Sequence, residues 1–99
     1  MFTPFKLDKV RNLRFGMRSL SIVEKELGTN LSKLDMENLT LEQASIMLWA
    51  GLLHEDPTLT VDGLMDLIDE HSSIEESFSV LAIAITTSFG EKGKKKTTK

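Results

Sequence analysis

The residues best suited to chemistry lie in the stretch LWAGLLHEDPTLT, Leu48 to Thr60, where Trp49, Gly51, His54, Glu55 and Asp56 precede Pro57. His54-Glu55 opens like a zinc-protease motif. That chemistry needs a second imidazole one helical turn on, so that two rings converge on one metal. Position 58 is Thr, and Pro57 would break a helix carrying the motif. His71 is the only other imidazole. No metal site and no cofactor are therefore expected. Glu55 and Asp56 are a general acid and base in name only, because adjacent side chains splay apart and no nucleophile or oxyanion donor accompanies them. The expectation is a protein that is not an enzyme, with no catalytic residues.

A second chemical-looking stretch, GEKGKKKT from Gly90 to Thr97, is superficially like a phosphate-binding loop. Lys95 stands where the second required Gly belongs, and neither a preceding strand nor a following helix is expected. Lys92, Lys94, Lys95, Lys96 and Lys99 lack the interleaved aromatics that would read bases, so nucleic acid is not the expected partner. The charge distribution agrees. Residues 1–90 carry seven Lys and Arg against fourteen Asp and Glu, whereas residues 91–99 carry five Lys against Glu91. An acidic body repels phosphates, and the basic end reads as an interaction tail or a solubilising one.

The elements that must position these residues follow from periodicity. The 99 residues, 40% hydrophobic and without cysteine, suit one domain with one shallow core and no disulfide framework. Rough alternation in FKLDKVRNLRFGM, Phe5 to Met17, predicts a small hairpin turning at Asp8-Lys9. A first helix is expected at about Leu20 to Leu27, with Ser19 or Ser21 as N-cap, Leu20, Val23 and Leu27 on one face, and Gly28 as its left-handed stop. Leu31, Leu34 and Leu39 should pin a polar connector onto the core.

Thr40 and Gln43 form a capping box before a nearly all-apolar helix, Leu41 to about Leu53, which is expected to lie centrally. Gly51 in its last turn costs roughly 1 kcal/mol in propensity, a loss best offset where another backbone packs close. Thr60 caps a third helix to about Glu70, with Val61, Leu64, Met65 and Ile68 inward and Asp62, Asp66 and Asp69 outward. Ser73 and Glu76 open a fourth, Ile74 to about Phe89, with a stripe of Ile74, Phe78, Leu81, Ile85 and Phe89, ended by Gly90. The fold class expected is mainly α (α+β), a short N-terminal hairpin and a compact bundle of about four helices over residues 1–90, with 91–99 a disordered basic tail. No signal segment or membrane span is visible, which suits a cytoplasmic protein.

Within these elements the opening stretch is structural. Trp49 belongs to the core, its indole N–H seeking a carbonyl. His54 is placed to bond the last free carbonyls of the central helix, and Asp56-Pro57 turns the chain before Thr60 restarts it.

The order of these features resembles the phage tail assembly chaperones of the type also found in gene transfer agents. The resemblance covers about Leu7 to Glu70. It is carried by Leu13-Arg14-Phe15, Leu27-Gly28, Leu48-Trp49-Ala50-Gly51-Leu52, His54-Glu55-Asp56-Pro57-Thr58-Leu59-Thr60 and Leu67-Ile68-Asp69. The hairpin departs from it in lacking a Gly in its turn, and the last helix carries no matching motif.

The resemblance implies a protein that binds the tape-measure protein, keeps it soluble, helps recruit tail-tube subunits and is absent from the mature particle. It also implies a longer frameshifted form contacting the tube protein, for which the Gly93-Lys94-Lys95-Lys96 run suggests an A-rich slip site. Partner-binding candidates are Phe2 and Phe5, expected at the surface, the outward side of the last helix, and Lys92, Lys94, Lys95 and Lys96. Exposed Phe residues would also permit self-association. A tail or head-completion protein retained in the virion, or a small nucleic-acid-binding regulator, are the alternatives.

Overall fold

The computed structural model describes residues 2–35 and 37–87. Two antiparallel strands, β1 (Thr3–Lys6) and β2 (Val10–Leu13), precede four helices: α1 (Met17–Leu27), α2 (Leu41–Leu52), α3 (Val61–His71) and α4 (Ile74–Ile85). A single 3₁₀ turn, Leu31–Lys33, lies in the connector between α1 and α2. The α+β class, hairpin first and helices after, is the one the periodicity predicts.

In the hairpin Thr3 faces Leu13, Pro4 faces Asn12 and Phe5 faces Arg11. Period-two alternation sends Thr3, Phe5, Leu7, Arg11 and Leu13 to the buried side, and Phe15 joins them beyond the strand. Phe5 is 0% exposed. Its expected place at the surface is thus corrected: it is the inward residue of β1 and part of the core. The turn manages without Gly, because the Asp8 carboxylate accepts from the Lys9 N–H at 3.0 Å and clamps Arg11, three residues after Asp8.

The first helix starts three residues before the expected point. Gly16 is its N-cap and supplies no side-chain bond, so neither Ser19 nor Ser21 caps it. Ser19 instead donates to the Arg14 carbonyl. Gly28 ends the helix at φ 70°, the one positive φ among the described residues, as a left-handed stop requires. The connector is tied back where the Leu31 N–H donates to the Glu24 carboxylate at 3.0 Å, and Leu31, Leu34 and Leu39 pack half-buried against the core.

Both halves of the Thr40–Gln43 capping box form at the start of α2. The helix then buries Ala44 through Leu48 and Ala50 through Leu52, and it packs against α1, α3, α4 and β2. It is the interior beam that its all-round apolar character demands. Thr60 and Ser73 cap α3 and α4 by accepting from the Gly63 and Glu76 N–H groups.

The fourth helix is rotated from the expected stripe. Ser77, Val80, Leu81, Ala84 and Ile85 are its buried residues, Phe78 is half-buried and Ile74 is 56% exposed. A stripe at spacings of four and three fits more than one face of so apolar a helix, and β1 packing against it selects the face. Phe89, Gly90 and the whole of 91–99, including Lys92, Lys94, Lys95 and Lys96, lie outside the described residues.

Candidate functional site

The residues singled out around Trp49 come together, with the hairpin as their partner. The outer edge of β2 exposes backbone groups that no third strand meets, the usual liability of an edge. The end of α2 meets them. Asn12 donates its N–H to Glu55 Oε1 at 3.1 Å and its amide Nδ2 to Oε2 at 3.0 Å. The Asn12 carbonyl accepts from His54 Nε2 at 2.6 Å, which fixes the ring hydrogen on that nitrogen because a carbonyl only accepts. Two residues on, the Arg14 N–H donates to the Gly51 carbonyl at 3.0 Å. That carbonyl is one of the four a helix end leaves without an intrahelical donor, since Glu55 N–H turns to Leu52 instead. Edge strand and helix end thus satisfy one another.

His54 therefore spends its hydrogen bond on the hairpin and not on the carbonyls of its own helix, correcting the expectation. Phe2, 55% exposed, stacks on its ring with centroids 5.5 Å apart and planes at 28°. Of the two aromatic candidates, Phe2 alone lies at the surface.

Arg11 is the residue that sequence reasoning missed. Buried opposite Phe5, it donates from Nε and Nη2 to the two Asp8 oxygens at 2.9 and 3.1 Å and from Nη1 to Asp56 Oδ2 at 3.4 Å. The signal was present, because Arg11 falls in phase with Phe5, Leu7 and Leu13 and lies three residues after Asp8. Asp56 also accepts from the Thr58 hydroxyl and N–H, bonds that span Pro57 and shape the turn there. The chain leaves α2 here, as expected. Trp49 Nε1 donates to the Leu59 carbonyl at 2.7 Å, pinning the far side of the same turn.

The glycine in this seam answers to side chains more than to backbone. A Cβ on Gly51 would lie 2.9 Å from Leu13 Cδ2 and 2.9 Å from Phe15 Cζ. Leu13 and Phe15 lie close enough to this bare helix position that any side chain there would force them to shift.

The electrostatics of the seam are those of a fastening. Hydrogen bonds from Arg11 hold the Asp8 carboxyl below its ordinary pKa, bonds from Asn12 do so for Glu55, and bonds first from Thr58 and then Arg11 do so for Asp56. Each acid is held ionised and committed as an acceptor, the opposite of a general acid tuned upward toward neutrality. Among the described residues no three His, Asp or Glu side chains converge as metal ligands, and no helix is long and apolar enough to cross a membrane.

Among the described residues an open cleft lies at the other end of α2. The first two turns of that helix, with the second half of α3 and the start of α4, enclose about 170 Å³. Leu48, Ala44 and Ile68 are buried parts of its lining, Met65 and Phe78 are half-buried, and Leu41 and Ile74 are each 56% exposed. Asp69 lies at its margin. This cleft was not legible in the sequence, where Leu41 read as an ordinary first residue of its helix and Ile74, 56% exposed, as part of an inward stripe. Searches against protein-family models, curated proteins and solved structures find no match to the chain.

Proposed function

We propose that this chain is a phage tail assembly chaperone, a protein without enzymatic activity that binds the tape-measure protein. It keeps that protein soluble in the host cytoplasm, helps recruit tail-tube subunits and is absent from the finished particle. The observation that carries this reading is the open apolar cleft between α2, α3 and α4, rimmed by exposed Leu41 and Ile74, joined to the order of motifs over Leu7 to Glu70. A tape measure is a long helix with apolar stripes that aggregate when uncovered. A small protein with an apolar cleft covers such a stripe by helix-in-groove packing. Many copies along one chain supply avidity while each remains able to leave as the tube grows. Recruitment of the tube protein is assigned to a longer form extended beyond the Lys-rich end.

Co-expression with the tape-measure protein encoded beside this chain is the direct test. The expected result is a soluble tape-measure protein that co-purifies with it, and mass spectrometry of purified particles that lack the chain. A tape-measure protein that stays insoluble and does not co-purify overturns the reading.

A further inference from the structure

The chemistry of the cleft margin defines its occupant more narrowly, and the definition rests on the reading above only in supposing that the cleft receives another protein. Between Lys33 and Lys92 there is not one Lys or Arg, while twelve Asp and Glu occur. The three helices that line the cleft fall wholly inside this interval. Asp69 lines the cleft itself. Glu42, Asp66 and Glu75 are exposed and flank its lining residues on α2, α3 and α4, each next in sequence to Leu41, Met65 or Ile74.

Two helix N-termini also face this end, those of α2 and α4, and each contributes roughly half a positive charge. Glu42 in the first turn of one and Glu75 and Glu76 in the first turn of the other outweigh that contribution. The cleft has a mainly apolar floor, with Ser45 and Ser77 in it, on three helices that carry acids and no Lys or Arg.

Its size sets the manner of binding. At about 170 Å³ it is smaller than the roughly 300 Å³ at which sites for drug-sized molecules begin. It suits one or two side chains inserted from a backbone lying across the rim. We infer that the cleft between α2, α3 and α4 is a docking site for an amphipathic helix of a partner protein whose apolar stripe is flanked by Lys and Arg. The apolar side chains enter between Leu41 and Ile74, and the flanking cations meet Glu42, Asp66, Asp69 and Glu75. The chain's own basic end does not meet this description, because residues 91–99 contain no apolar side chain to insert.

The test uses the full chain and two fluorescent helical peptides of about 18 residues, or five turns, with one apolar stripe in common and flanks of either Lys or Glu. By anisotropy the Lys peptide should bind at least about tenfold more tightly than the Glu peptide, with affinity falling as salt rises. Leu41→Asp with Ile74→Asp should abolish binding while circular dichroism stays native, these residues being half-exposed. Asp66→Lys with Asp69→Lys should reverse the preference toward the Glu peptide.

Equal binding of both peptides, or Lys-peptide binding that survives Leu41→Asp with Ile74→Asp, overturns the inference. So does a groove variant whose only effect is to change the mass of the free protein by light scattering, since the cleft would then serve a second copy of this chain. The two readings separate cleanly. If the tape-measure protein co-purifies equally with wild type and groove variants, the docking site is wrong and the chaperone function stands. If it fails to co-purify while the peptides behave as described, the docking site stands and its partner is another basic amphipathic helix.

Discussion

At its C-terminal end α2 presents the hairpin with a carbonyl, an imidazole and a carboxylate, whereas its N-terminal half presents Leu41, Ala44, Ser45 and Leu48 to an open cleft. At one end polar groups close a surface, and at the other a mainly apolar lining leaves one open. The reason lies in what each neighbour lacks. An edge strand and a helix terminus both carry unpaired backbone groups, so polar side chains placed between them have ready partners. Three helices meeting at their ends leave a gap that only apolar side chains fill, and within the described chain none does. A cluster of His, Glu and Asp is therefore the fastening here, and exposed Leu41 and Ile74 border the open cleft.

This contrast can be broken most forcefully at Gly51. Gly51→Val forces a side chain into the contact with Leu13 and Phe15, and overpacking on this scale should cost about 3 kcal/mol, read as a lower urea midpoint. Arg11→Met keeps the packed stem but removes the bonds to Asp8 and Asp56, and a loss of about 2 kcal/mol is expected in the same experiment.

The seam should also respond to acid. Asp8, Glu55 and Asp56 have pKa values lowered by folding. Their contribution is complete above the ordinary carboxylate pKa of about 4 and disappears as pH falls through the lower folded values. Thermal midpoints measured downward from neutrality should hold until about pH 4–5 and then fall. In Arg11→Met the fall should be shallower, because two of the three acids lose a donor.

Smaller effects sharpen the contrast. Trp49→Phe deletes the donor to the Leu59 carbonyl while keeping most of the ring, for about 1 kcal/mol. Ile74→Ser at the cleft should change stability by less than about 0.5 kcal/mol, although the same position is expected to govern partner binding. A large stability loss at Ile74, or a negligible one at Gly51, would erase the distinction between a fastening end and an open end.

Much of the fold was legible residue by residue. Thr40 with Gln43, Gly28, Thr60 and Asp56-Pro57 all act within a few residues of themselves, so their effect does not depend on how the chain packs. Trp49 was legible in part: its indole finds the expected carbonyl, but the ring is half-buried against the core and not within it. Phe5 and His54 were misjudged for the opposite reason. Whether an aromatic near a terminus faces out, and which carbonyl an imidazole meets, depends on segments 40 or more residues away, as the bond between His54 and Asn12 illustrates. Arg11 belongs with them, although its in-phase position hinted at burial.

By itself the sequence determined the number, type and order of the elements, because hydrophobic period, caps and turn residues are short-range interactions with short-range outcomes. It also determined that α2 would be buried, since a helix apolar on all sides has no face to give to water. Tertiary structure alone decided which face of α4 turned inward, that the HEDP turn would clasp the edge of β2, and that Leu41 and Ile74 would flank one acidic-rimmed cleft. Those outcomes require segments far apart in the chain to meet, and no local pattern encodes the geometry of their meeting.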